Sequence, residues 1–197
     1  MTRHMPEQAR REQILSAARR CFIETGYHPT RMDDIAREAG LSKGGVYFHF
    51  KSKREVFDSL VQEEFDRTMA FISAVTESEQ PIAEKMQVLA AHYLEYFQSA
   101  PDAARFFVVM GEMALRDEDL SRRLLEKQSQ IIGAVARLID QGVERGVLKP
   151  VDSQVVAAIL KALLDGVEAL RALDYPIDFD RYLGVGMELV MGGLVKR

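Results

Sequence analysis

The chain has a single cysteine, Cys21, in 197 residues, so no disulfide framework can form within it. Its first residues, MTRHMPEQARREQ, are polar and charged and lack the apolar stretch of a secretion signal. No window approaches the roughly 18 uninterrupted apolar residues of a membrane span. The expectation is a soluble, cytoplasmic protein with no membrane partner. Catalytic parts are also missing. No nucleophile is paired with a base, no His or Cys cluster has metal-ligand spacing, and no strand precedes the GxG and GG pairs near residues 184–193 as a phosphate loop requires. An enzyme, a metal and a cofactor are therefore not expected. Strand-like alternation of useful length is absent too, as are internal repeats and low-complexity linkers.

Helical periodicity runs almost throughout, and predicts an all-α chain of about nine helices. The first spans about Glu7 to Thr25, with Ile14, Leu15, Ala18, Cys21 and Phe22 on one face; Cys21 reads as a small core hydrophobe. Gly26 is expected to stop it in a left-handed conformation. Thr30, with Asp33 three positions on, resembles a capping box for a short second helix. Gly40 ends that helix, Leu41 is an apolar plug, and Ser42 caps a third from Lys43 to about Phe50. A long helix starts near Lys53 with Phe57, Val61, Phe65, Met69 and Ile72 in register. Pro81 and Pro101 suit first turns of two more. Another spans about Glu118 to Arg145, Asp152 caps the next, and the last covers about Asp180 to Val195.

Charge is distributed unevenly. The whole chain is at −4, but residues 1–54 hold 11 Lys/Arg against 6 Asp/Glu, a net of +5, and residues 55–197 hold 15 against 24, a net of −9. A basic end on an acidic chain suits a polyanion there, although basic runs often only solvate a helix face. Residues 30–50 read as helix, glycine turn, helix. That is the helix-turn-helix layout, in which the second helix enters the DNA major groove. Ile35, Ala39, Leu41, Val46 and Phe50 are expected to fix its angle.

The run TRMDDIAREAGLSKGGVYFHFKSK at residues 30–53, preceded by AARRCFIETGY at 17–27, resembles the DNA-binding motif of the tetracycline-repressor (TetR) family. The resemblance covers about residues 10–60. It implies an N-terminal helix-turn-helix domain over residues 1–54, followed by a helical ligand-binding and dimerisation domain over 55–197. It implies phosphate contacts from Thr30, Tyr47, His49 and Lys53; Arg31, Ser42, Lys43, Gly44, Gly45 and Phe48 complete the expected DNA-binding set. Helix N-termini, hydroxyls and lysines are natural phosphate ligands. Gly44 and Gly45 remove two base-reading side chains, so close backbone approach is expected, with readout by Lys43, Tyr47, Phe48 and DNA shape.

For the remainder, the resemblance implies a homodimer whose small-molecule effector weakens binding to a double-stranded DNA operator. Phe65, Met69, Met86, Leu89, Tyr93, Phe97, Phe106, Phe107, Met110, Met113, Leu163 and Val167 are the candidate pocket, or equally a plain core. The stretch Val155–Leu173 is apolar around most of its circumference and must be buried on more than one side. Ala162, Gly166, Ala169 and Leu170, with Leu183, Met187, Val190 and Met191 of the last helix, are the candidate subunit interface; an ordinary core helix is the alternative. The function expected is a transcriptional regulator, a repressor released from a palindromic operator by a largely apolar ligand. A helical adaptor fits the composition but leaves residues 30–53 unexplained.

Overall fold

A computed structural model describes residues 6–99, 101–176 and 178–195, and among them the chain forms nine α-helices and no strand. These are α1 (Glu7–Thr25), α2 (Met32–Glu38), α3 (Lys43–His49), α4 (Lys53–Glu77), α5 (Ile82–Ser99), α6 (Pro101–Ala114), α7 (Glu118–Glu144), α8 (Ser153–Ala172) and α9 (Phe179–Leu194). An isolated antiparallel bridge, Leu148 to Val195, ties the end of α9 to the turn after α7.

The polar caps set the helix starts. Ser42 Oγ accepts from Gly45 N at 3.1 Å, Ser52 Oγ from Glu55 N at 3.1 Å, and Asp152 Oδ1 from Val155 N at 3.1 Å. Each satisfies a backbone donor that the first helical turn leaves open. The second helix departs from expectation by one residue. Arg31, not Thr30, is its N-cap, and Asp34 Oδ2 accepts from Arg31 N at 2.9 Å. Gly26 does take positive φ, but with ψ 163° its backbone is extended and not left-handed helical. It turns the chain away from α1 in a conformation that side-chain-bearing residues rarely adopt.

The largest core gathers Ile14, Phe22, Ile35, Val46, Phe50, Phe57 and Leu60 from α1 to α4, together with Phe106 and Met113 of α6. Phe57 stands at its centre. Its ring lies 5.7 Å from Phe22, 5.0 Å from Tyr27 and 5.7 Å from Phe106, in tilted and edge-on arrangements that aromatic quadrupoles favour. Cys21 packs against this core, and burial pushes its thiol pKa up, as expected of a small hydrophobe. Arg54 pairs with Asp58 and with Asp117, the N-cap of α7, and Arg123 reaches Asp58 at 3.1 Å. The long α4 is thereby fixed to α7 as well as to α6.

In the second half, α8 packs against α6 and α7, and α9 against α5. The expectation that α8 is enclosed on several sides fails within one chain. Ala157 and Val167 are buried, but Val155 and Ile159 stand out in solvent, Ile159 at 58% exposure.

Candidate nucleic-acid interface and effector cavity

The third helix is short and presents one face outward because its other face is nailed down. Val46 is fully buried, and so is Phe50 just beyond the helix end. Arg11 of α1 lies 4.2 Å over the Phe50 ring and donates to His49 O at 2.9 Å. The outward face carries Lys43, Gly44, Tyr47 and Phe48. Phe48 is 75% exposed. Arg31, Ser42 and Lys51 are exposed beside them, and the His49 ring is half-buried against Phe48. Lys43 Nζ pairs with Asp33 at 2.8 Å, which raises its pKa. A solvated pair of this kind is weak, so phosphate can displace Asp33.

The two glycines differ. A Cβ on Gly44 would meet nothing within 4 Å, whereas one on Gly45 would stand 3.3 Å from Ser42 Oγ. Gly45 therefore protects the cap that starts the helix, a local reason the sequence did not reveal. Lys51 was missed as well, although the run Lys51-Ser52-Lys53 held the signal.

Two members of the expected DNA-binding set face inward. Thr30 is only 2% exposed. Its hydroxyl is committed to Gly26 O at 2.7 Å, Cys21 O at 3.3 Å and the Thr25 hydroxyl at 2.8 Å. Lys53 Nζ donates to Tyr27 O at 2.6 Å, His28 O at 3.0 Å and Thr30 O at 2.7 Å, and sits 4.3 Å over the Tyr27 ring. All three ammonium protons are used, and burial lowers its pKa. Lys53 thereby ties the first turn of α4 to the turn before α2.

The candidate pocket resolves into two adjoining cavities. The first, of about 130 Å³, takes Phe65, Tyr93, Phe107 and Met110 from the expected set; the second, of about 170 Å³, takes Met86, Leu89, Tyr93 and Leu163. Phe106 and Met113 line neither cavity: both lie in the core shared with α1 and α4, where Phe57 and Arg19 pack on the Phe106 ring. Met69 packs with Phe65 and Ile72 instead, and Val167 with Tyr93 and Leu164. The side chain of Phe97 lies outside the described residues. The polar lining was unforeseen. His92 stacks on Phe71 with ring centroids 3.5 Å apart, and Tyr96, Lys161, Asp165 and Glu168 also face the first cavity. Burial raises the pKa of Tyr93 and Tyr96. These residues sit on helices whose sequence pattern reads as apolar stripe, which hid the inward carboxylates.

At the candidate interface, Ala162 and Gly166 are exposed and Ala169 and Leu170 half-buried. Val190 is half-buried and packs against the core of Ile82, Met86 and Leu138. Ile159, Val185 and Leu189, the last at 72% exposure, are outward-facing apolar side chains on α8 and α9. The side chains of Leu183, Met187 and Met191 lie outside the described residues.

Comparison with known proteins bears on both halves. Residues 14–60 match the model of bacterial regulatory proteins of the tetR family, and residues 81–192 that of the BetI-type transcriptional repressor C-terminal domain. The chain belongs to the TetR family. It is 32% identical over 168 residues to the HTH-type transcriptional repressor Rv1474c of Mycobacterium tuberculosis, covering 83% of each chain. It is 32% identical over 152 residues to the transcriptional regulator RutR of Escherichia coli, covering 74% of this chain and 68% of that protein. Among solved structures, the SmeT–triclosan complex superposes with a TM-score of 0.78 at 25% identity, covering 96% of this chain and 93% of that one. A regulator from Saccharomonospora viridis in complex with choline gives 0.82 at 21% identity, covering 97% and 100%. This TetR-family chain is thus a DNA-binding transcriptional regulator and not an enzyme. Among the described residues no helix is long and apolar enough to cross a membrane.

Proposed function

We propose that this regulator is a homodimeric repressor, released from a near-palindromic operator by a small, largely apolar effector. Its reading unit is residues 1–54 and its effector and dimer unit residues 55–197, a division that falls in the first turn of α4. The observation that carries this reading is the double duty of α4. Val56, Phe57 and Leu60 in its first half belong to the core that holds α3, while Glu64, Phe65, Thr68 and Phe71 further along line the first cavity. A ligand that moves the distal wall acts on the helix that sets the reading head.

In this reading the two α3 helices of the dimer sit about 34–36 Å apart, matching successive major grooves on one face of DNA. The exposed apolar faces of α8 and α9 meet their copies. Lys43, Tyr47 and Phe48 read the groove, and Arg31, His49 and Lys51 hold phosphates. An effector that favours a wider spacing shifts the population off DNA, by no more than its differential affinity. The aliphatic lining of the second cavity supports an apolar ligand body, and the triclosan and choline complexes of structural neighbours support a small-molecule effector. Repression follows the repressor relative and the repressor-type C-terminal match.

The test is selection of bound sites from random duplex DNA at two salt concentrations. The expected result is one enriched near-palindrome with affinity falling steeply as salt rises, and loss of that enrichment in Lys43→Ala/Tyr47→Ala. Sequence-blind binding alone would overturn the reading.

A further inference from the structure

The two cavities share a wall. Tyr93, Ile131, Lys161 and Leu164 border both, yet their chemistry differs. The second is almost wholly aliphatic. The first is lined by the rings of Phe71, Tyr93 and Tyr96 together with the carboxylate of Glu168.

Most charges around that first cavity are already matched. Lys161 pairs with Asp165 on α8, and Glu64 of α4 with Arg19 of α1 and Arg67. Lys127 of α7 donates to Gln62 Oε1 at 2.7 Å and rests 4.0 Å over the Phe65 ring. Glu168 is different. It is met by the Tyr96 hydroxyl from α5 and by the field of Lys161, a cation already engaged, against the opposing fields of Asp165 and Glu64. Burial dominates, and the carboxyl pKa is pushed up to about 7. The remaining titratable group on the α5 side, His92, has its pKa lowered by burial, so no cation answers Glu168 from there. A second acceptor on the wall, the buried Gln128 Oε1, has no donor among the described residues. The Glu168 carboxylate can accept more than the Tyr96 hydroxyl gives it, and Gln128 Oε1 has no donor, so a ligand can bring hydrogen bonds to both, and the ring faces favour a donor with positive charge.

We propose that the effector is an amphipathic alkyl- or arylammonium ion, its protonated amine held by Glu168, Gln128 and the ring faces of the first cavity, its apolar body filling the second. This rests on the reading of these cavities as the effector site. Neutral or anionic ligands of the same length satisfy the apolar cavity but not the carboxylate.

The test is calorimetric titration of the full-length protein with octylammonium, 1-octanol and octanoate. At pH 7.5 octylammonium is expected to bind at least tenfold more tightly than either. Its affinity should strengthen from pH 6 to pH 8 as Glu168 ionises, with octanol unchanged. Glu168→Gln should abolish the preference while leaving octanol within twofold, and Glu168→Asp should restore part of it, which also guards against a Gln variant that fails to fold. Equal binding of octanol or octanoate, or undiminished octylammonium binding to Glu168→Gln, would overturn the proposal. Release of operator DNA is read on the same samples. Octylammonium binding without release refutes the effector reading and leaves the cation site standing. Release by octanol, with no octylammonium preference, does the reverse.

Discussion

The reading head and the effector half share the long helix α4 and are packed to opposite standards. Between α1 and α4 the core is closed: Ile14, Phe22, Ile35, Val46, Phe50 and Phe57 are all fully buried. Between α4, α5, α7 and α8 the interior holds two cavities, and α8 and α9 leave large aliphatic side chains in water. A surface that must match DNA to within a hydrogen bond needs immobile support, whereas a ligand site needs room and a partner surface needs uncovered apolar area. The contrast is therefore a division of labour, and it can be broken from either side.

The largest effect is expected at the closed core. Phe22→Ala should cost about 3–5 kcal/mol, because it empties space in the closed core against the Phe57 and Tyr27 rings. Leu89→Ala, on the wall of an existing cavity, should cost about half as much. Urea denaturation of both variants checks this. Similar losses would show that the two halves are packed alike.

The next test concerns Lys53. As a clamp, it should lose about 2 kcal/mol of stability in Lys53→Ala, since three backbone carbonyls lose a charged donor, and the salt dependence of DNA binding should stay the same. As a phosphate ligand, it should leave stability intact and lower the salt slope by about one. Denaturant midpoints and salt titrations of one variant separate the two.

Lys53 also shows where sequence reading stops. The helix order, the caps at Ser42 and Asp152 and the small core of the reading head were all legible, because each depends on neighbours within a few residues. That Lys53 bends back to residues 27–30 depends on a contact across more than twenty positions, which periodicity does not carry. The same holds for Phe106 and Met113. Their aromatic and methionine character is equally suited to a pocket and to a core, and only their burial in the cluster shared with α1 and α4 decides it. Glu168 was hidden for the converse reason. A carboxylate on an apolar helix reads as a solvated face until α4 and α5 cover it.

Glu168 gives a pH test of the open half. Its carboxyl ionises near 4.5 ordinarily but near 7 in the fold. The folded state therefore holds a proton that the unfolded chain releases between these values. Stability contributed by that proton is present below about pH 4.5 and is lost as pH rises to about 7. Glu168→Gln removes the loss, so it should raise Tm at pH 8, by roughly 2–4 °C per kcal/mol relieved, and change it little at pH 4.5. An equal shift at both pH values would mean that the carboxylate carries no burial penalty.

The smallest effect contrasts two adjacent glycines of the reading helix. Gly44→Ala places a methyl in open space and should stabilise the protein by roughly 0.5–1 kcal/mol through helix propensity. Gly45→Ala gains the same propensity but crowds Ser42 Oγ at 3.3 Å, so its net change should be near zero. Their effects on DNA should run the other way. If the backbone at Gly44 lies against the groove, its added methyl weakens operator affinity even as Tm rises, whereas Gly45, turned toward its own cap, leaves affinity nearly unchanged. A Gly44→Ala variant that is both more stable and equally tight on DNA would remove close backbone approach from the recognition mechanism and leave the exposed Tyr47 and Phe48 to carry it.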